Sequence, residues 1–315
     1  REAILSRDEA KGIEDEYQQY LEDEFSASRK NEKALVYDFL SLTWEKYRHG
    51  TQKDFDASPK TGLDQKKLMD LGVKLSTLPE GKKYFRKIAK IFEDIANGVK
   101  KRVIVNIAPR HGKSEMISYL APAWFLGKYP NKKVIMASHT ADLAVNFGRR
   151  VRNLVGSELY RDIFPQVELQ ADSKSASRWG TNFNGEYFAI GVGGALAGRG
   201  ADLFIIDDPH SEQEAKQGRA DVFEPAWEWF QSGPVQRLMP GGAIIVVMTR
   251  WSKLDLTGMI VDHMTKNDDA DEWEVVEFPA ILNDKPLWPE FWSIDELLAK
   301  KAGMDPRYWQ AQYMQ

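Results

Sequence analysis

The 315-residue chain contains no cysteine, which removes disulfide frameworks, thiolate zinc sites and cysteine nucleophiles from consideration. Histidine is nearly as scarce. The five histidines are scattered, none in an HxxxH pair, so a histidine-based metal site is not expected either. No apolar run approaches the roughly 18 residues needed to span a bilayer, and the first residues carry no leader-like apolar stretch, so a soluble intracellular protein is expected. A strong positive balance is also missing. The net charge is −4, which argues against a uniformly basic nucleic-acid coat. Nine acidic and three basic side chains fall within residues 1–25, so the remainder is slightly positive and any contact with DNA has to be local. Lys82-Lys83 with Arg86-Lys87, Lys100-Lys101-Arg102, and Arg149-Arg150 with Arg152 are the basic groupings, each of which reads first as a solvated helix face.

The chain is long enough, with 43% apolar residues, for one large α/β domain and a smaller appendage or for two modest domains. Its organising stretch is Ile107-Ala108-Pro109-Arg110-His111-Gly112-Lys113-Ser114. The apolar run Val103-Ile104-Val105-Asn106-Ile107 before it reads as a buried strand, and Met116, Ile117 and Leu120 after it have helical spacing. A strand, a loop and a helix start bring unpaired backbone N–H groups and a positive dipole end into one concavity, which suits a polyphosphate. Lys113 would reach the β- and γ-phosphates, Ser114 would ligate Mg²⁺, and Gly112 would allow close approach. A standard phosphate loop has glycine where Ile107 stands, so the match is a deviant one.

Several further segments have readable character. Residues 1–25 are acidic and permissive for a peripheral helix; 35–44 form an amphipathic helix by spacing; 51–62 read as a surface loop. Tyr84, Phe85, Ile88, Ile91, Phe92 and Ile95 recur at helical spacing, and Tyr84 and Phe85 lie about as far upstream of the loop as adenine-gripping residues in helicase-like ATPases. Pro122 is expected to kink or end the helix after the phosphate loop. Val134 to Ser138 make a second buried strand, Thr140 caps a helix, and Asn184-Gly185 marks a hairpin. A glycine-dense stretch from Gly191 to Gly200 leads into Leu203-Phe204-Ile205-Ile206-Asp207-Asp208. There Asp207 would hold the magnesium hydration shell, and Asp208 would accept a proton from attacking water. A helical pattern covers 212–230. Ala243 to Met248 form another apolar strand ending in Thr249-Arg250, which could contact the γ-phosphate or the lytic water, and Ser252-x-x-Asp255 reads as a capping box. Trp273 to Phe278 supply one more strand. Buried strands alternating with helices predict an α/β fold with a mainly parallel sheet covered on both faces and its ligand at the carboxyl ends of the strands.

Taken together, APRHGKSE, ASHTADLAVNFGRRVR, GGALAGRGADLFIIDDP and IIVVMTRW, in this order and spacing, resemble the N-terminal packaging ATPase domain of the large terminase subunits of tailed double-stranded DNA bacteriophages. The resemblance implies a P-loop NTPase core of the ASCE, RecA-like kind over 81–285, a helical N-terminal extension or lid subdomain over 1–80, and an aromatic tail over 286–315 leading toward a nuclease domain. That domain is not expected in this chain, and neither is nuclease activity. The resemblance further implies ATP and Mg²⁺ as cofactors, with Pro109, Arg110, His111, Gly112, Lys113, Ser114 and Glu115 as the nucleotide loop and Tyr84 and Phe85 near the adenine, although some relatives have glutamine where Phe85 stands. Ser114 and Asp207 would hold the metal. Lys113, Asp208, Arg110 and Thr249 would serve hydrolysis in cis, and Arg199, between Gly198 and Gly200, matches a finger that acts on the next subunit of a ring. Where many relatives have glutamate, Asp208 is one methylene shorter. The implied partners are double-stranded DNA, the portal protein and the small terminase subunit, with no membrane; the implied place is the host-cell cytoplasm, transiently at the procapsid portal. A helicase-like nucleic-acid-dependent ATPase and a non-catalytic nucleotide-binding scaffold are the alternatives.

Overall fold

The computed structural model describes residues 7–30, 51, 64, 66–67, 83–216 and 219–315. The expected helix at 35–44 and all but the first residue of the expected loop at 51–62 lie outside them. Contacts divide the chain into two compact units, Arg1–Leu75 and Ser76–Gln315. In the first, helix α1 (Arg7–Lys30) carries acidic residues in its first turn and basic ones in its last, which complements the helix dipole. Ile13, Tyr17, Leu21 and Phe25 are exposed along it.

The second unit is built on an eight-stranded sheet. Its strands are β1 (Arg102–Ile107), β2 (Lys133–Ser138), β3 (Leu169–Lys174), β4 (Arg178–Thr181), β5 (Glu186–Gly191), β6 (Ala201–Asp207), β7 (Leu238–Met248) and β8 (Glu274–Phe278), in the order β3-β4-β5-β2-β6-β7-β1-β8. From β5 to β8 every pairing is parallel, while β4 runs antiparallel to β5 and β3 antiparallel to β4. Strands buried on both faces need no polar alternation, and β1, β2 and β6 accordingly read as continuous apolar runs.

Alternate residues of those runs feed two separate cores. Val103, Val105, Ile107, Val134, Met136, Leu203, Ile205, Ile245 and Val247 pack with helix α2 (Lys83–Ala96) through Ile88, Ile91, Phe92 and Ile95, with α4 (Ala141–Val155) through Ala144, Val151 and Val155, and with α5 (Glu158–Ile163) through Tyr160. Ile104, Ile135, Ala137, Phe204, Ile206, Ile244, Val246 and Met248 face the other way. They pack against Trp229 and Phe230 of α7 (Glu224–Ser232) and Leu256 and Ile260 of α8 (Leu256–Lys266). Helices therefore cover both faces, as the sequence pattern predicts. Thr140 caps α4 by accepting from the Leu143 N–H, and Asn184, at φ 63°, turns the β4–β5 hairpin.

Three local expectations are corrected, and the tail's own fold is added to them. Pro122 does not end the helix after the phosphate loop: a wide π turn over Glu115–Leu120 runs straight into α3 (Ala121–Lys128), with Pro122 in its first turn. A proline ring inside an α-helix meets the carbonyl four residues back, and the wider turn relieves that clash. Residues 212–230 are not one helix but a short α6 (Glu212–Ala215), a 3₁₀ turn (Ala220–Val222) and α7, since Pro225 can only sit in a first helical turn. The cap of α8 is Asp255, not Ser252; the Asp255 carboxylate accepts from the N–H groups of Gly258, Trp251 and Ser252, more than a hydroxyl could satisfy. The aromatic tail folds as a small hairpin, β9 (Ile281–Leu282) with β10 (Lys285–Pro286), then α9 (Ile294–Ala302), α10 (Pro306–Trp309) and a π turn (Gln310–Met314). It packs back on the second unit, where the Ala280 N–H donates to the Tyr313 carbonyl at 2.6 Å.

Candidate functional site

The parallel register places the ends of β1, β2, β6 and β7 side by side. Val105 pairs with Val247, Ile206 with Val246, and Ser138 with Asp207, so the residues just beyond these pairs meet at one sheet edge. Beyond β1 the chain turns through Arg110 at φ 61° and Gly112 at φ 79° before the π turn begins. A side chain at Gly112 would also meet Met116 and Trp288. The result is a cavity of about 470 Å³ lined by Pro109, Lys113, Ser114, Asp207, Asp208 and Thr249. That is the size range of small-molecule sites.

Three separated segments are tied together there. The Lys113 ammonium lies 2.7 Å from Asp208 Oδ2. Asp208 Oδ1 accepts from the Thr249 N–H at 2.9 Å, and the Thr249 hydroxyl donates to the Ile107 carbonyl at 3.4 Å. Asp208 adopts φ 42°, a left-handed conformation that short polar side chains tolerate and that turns its carboxylate back over the strand ends. Burial opposes the charge on Lys113, but Asp208 and Asp207 outweigh it, so the ammonium is held above its ordinary pKa.

Asp207 is almost wholly buried. Burial, and then the charge of Asp208, push its carboxyl up to about 6, against the opposing pull of Lys113, Ser118 and Ser114. Its Oδ2 accepts from the Ser118 hydroxyl at 2.7 Å, while Oδ1 has no hydrogen-bond partner among the described residues. Among those residues no group of three histidine or carboxylate side chains could hold a metal. Mg²⁺ does not require one: it keeps most of its waters and takes one or two hard oxygen ligands. A serine hydroxyl beside a buried carboxylate with an unpaired oxygen, as at Ser114 and Asp207, is compatible with that demand.

Other site residues expected from the sequence fall elsewhere. His111 is fully buried and outside the cavity: Nδ1 lies 2.8 Å from the Pro109 carbonyl, and the ring packs between Trp292 and Tyr313. Burial also depresses its pKa. Glu115 faces away, paired with Arg150 at 2.7 Å. Arg110 is exposed and does not line the cavity, and its carbonyl accepts from Trp292 Nε1. Arg250 turns back to Asp255 at 3.0 Å and does not line the cavity. Arg199 lies at the opposite, amino edge of the sheet, paired with Glu186 at 2.9 Å and with its guanidinium 3.7 Å from the centre of the Phe188 ring. Tyr84 and Phe85 lie in the first turn of α2, but their side chains are outside the described residues.

Sequence reasoning missed several residues. Ser138 and His139 at the end of β2, and Gln312 and Tyr313 of the tail, all line the cavity. Leu143 and Phe147, which look like ordinary core positions of α4, line it too, and Leu143 is 41% exposed. Ser118 carried a usable sign, since it stands one helical turn beyond Ser114.

The family profile described as terminase large subunit, T4likevirus-type, N-terminal, matches residues 104–287. No curated protein matches by sequence. Solved structures do. The HK97 bacteriophage large terminase is 16% identical, over 75% of this chain and 50% of that one, at a TM-score of 0.48. The large terminase ATPase domain of Thermus phage P74-26 is 16% identical, over 76% of this chain and 98% of that one, at 0.43. A large terminase from a thermophilic bacteriophage, solved in complex with ATP-gamma-S, is 12% identical, over 72% of this chain and 51% of that one, at 0.45. The chain thus spans about half the length of the first and third of these proteins.

Proposed function

Since the chain belongs to the T4likevirus-type large terminase family, matching its N-terminal region, we propose that it hydrolyses ATP to drive double-stranded DNA into a procapsid. The observation that carries the reading is the convergence of Lys113, Asp207, Asp208 and Thr249 on one cavity at the carboxyl edge of the sheet.

The loop from Pro109 to Ser114 would receive the β- and γ-phosphates on its N–H groups. Lys113 would exchange Asp208 for phosphate oxygen, which frees Asp208 Oδ2 to take a proton from the attacking water while the Thr249 N–H holds Oδ1 in place. Ser114 and Asp207 would hold Mg²⁺, which when bound neutralises charge building on the phosphate oxygens. Thr249, bonded to both the base and the end of β1, would relay the change to the sheet.

Arg199 is proposed to act on a neighbouring subunit of a homo-oligomeric ring. Its position at the sheet edge away from its own cavity favours that reading over action in cis. Docking on a portal, contact with a small terminase subunit, and a cytoplasmic location in the host belong to the same proposal. Among the described residues no helix is long and apolar enough to cross a membrane.

Phosphate release by the wild type, Lys113→Ala and Asp208→Asn, each with double-stranded DNA present, tests the assignment. Both substitutions are expected to cut turnover by roughly a hundredfold or more, with Asp208→Asn retaining ATP binding. Undiminished hydrolysis in either removes the assigned chemistry.

A further inference from the structure

Ser118 lies outside the cavity and would touch neither nucleotide nor metal, yet its hydroxyl donates directly to the Asp207 carboxylate. It is completely buried, and it donates to Oδ2 while Oδ1 is left unpaired among the described residues. What brings it there is the π turn over Glu115–Leu120, closed by the Ala121 N–H on the Met116 carbonyl, five residues back. Pro122 stands four residues after Ser118. In an α register its ring would strike the Ser118 carbonyl, and it has no N–H to donate, so the chain widens by one residue at this point. The proline thus sets the turn, and the turn sets the serine.

We propose that Ser118 is a positioning residue for the magnesium site: by occupying Asp207 Oδ2 it fixes the carboxylate so that Oδ1 remains the oxygen offered to the cation's hydration shell. The inference rests on the ATPase reading above. Outer partners of this kind orient metal-binding carboxylates, and losing one typically costs about 10- to 100-fold in metal affinity. An alanine at 118 would leave Asp207 free to rotate within a buried site.

The test uses Mn²⁺ as the probe, followed by electron paramagnetic resonance with the full chain and ADP, alongside ADP affinity measured in a chelator. For Ser118→Ala, Mn²⁺ affinity is expected to fall about tenfold or more while chelator ADP affinity holds, and Ser118→Thr, which restores the donor, is expected to recover it. Pro122→Ala keeps the hydroxyl but lets the turn relax, and it should shift Mn²⁺ affinity in the same direction. Should Ser118→Ala fail to fold, Ser118→Cys replaces it as a near-isosteric weak donor with the same expectation. Mn²⁺ affinity within about twofold of wild type in the folded serine variant overturns the inference. If that variant is silent while Lys113→Ala weakens nucleotide binding, only the serine's role falls; if the wild type takes up no Mn²⁺ with ADP, the ATPase reading falls and takes this inference with it.

Discussion

Asp207 sits in a conflict that the fold maintains at some cost. Its carboxyl is raised from 3.8 to about 6, first by burial and then by Asp208. A raised folded-state value means that the native protein holds this proton more tightly than the unfolded chain. The group's relative contribution to stability is therefore fully present below about pH 3.8 and is lost as pH rises through about 6. Asp207→Asn, which cannot ionise, should raise the melting temperature of the nucleotide-free protein more at pH 7.5 than at pH 4.5. Differential scanning calorimetry at the two pH values checks this, and an equal shift at both would contradict it. The chemical group at this position was legible in the sequence because an apolar run ending in two acids leaves little choice about where they point. So were Lys113, Ser114, Asp208 and Thr249, all placed just beyond buried strands. His111, Glu115 and Arg250 misled because they are neighbours of these residues in sequence. Adjacent side chains around a turn point in different directions: the Glu115 carboxylate and the Arg250 guanidinium pair away from the cavity, and the His111 ring is buried behind its lining, on the Pro109 carbonyl.

At the scale of elements, α4 and α8 each lean on a single residue. Gly148 in α4 lies directly on the β4–β5 hairpin: its carbonyl accepts from Trp179 Nε1 at 3.1 Å, and an added Cβ would overlap the Ala176 carbonyl oxygen. Gly148→Ala, although it favours helix locally, should therefore destabilise by about 1–3 kcal/mol, measured by urea unfolding. Asp255 is fully buried and caps α8 while bonding Arg250, so Asp255→Ala should cost about 2 kcal/mol in the same assay. A gain in stability from either would show that these contacts do not hold the helices. Strands β1, β2, β6 and the second half of β7 were readable because a strand buried on both faces declares itself by composition alone, whereas β8, with Glu274, Val275 and Glu277 exposed, showed as a shorter run. The π turn was not, since a proline after Leu120 is equally compatible with a helix end, a kink or a widened turn, and packing against the sheet decides among them. Likewise the pattern at 212–230 has the right spacing for one helix but cannot carry Pro225 in its interior.

For the molecule as a whole, the two ends of the sheet's parallel strands differ in character. The carboxyl edge holds the phosphate loop and the acids, and the amino edge holds Arg199, clasped by Glu186 over Phe188. In the proposed ring, an arginine so placed would serve catalysis in a neighbour. Mixing Arg199→Ala with Lys113→Ala under conditions where rings form should restore hydrolysis that neither variant shows alone, since each supplies what the other lacks; no recovery would count against the finger. DNA-stimulated turnover should also fall steeply with salt, as expected for a grip on phosphates. The α/β layering and the position of the site at the strand ends were legible from the alternation of apolar runs and helical spacing. The folding of the tail against the phosphate loop was not, because nothing in an aromatic-rich sequence states which surface it will cover. The most direct test of the account is a crystal structure with magnesium and a non-hydrolysable ATP analogue. The account predicts the triphosphate between the loop and the acids, Lys113 on phosphate oxygen instead of Asp208, and the cation beside Ser114 and Asp207. An analogue bound elsewhere, or one bound while the Lys113–Asp208 pair stays closed, would contradict it.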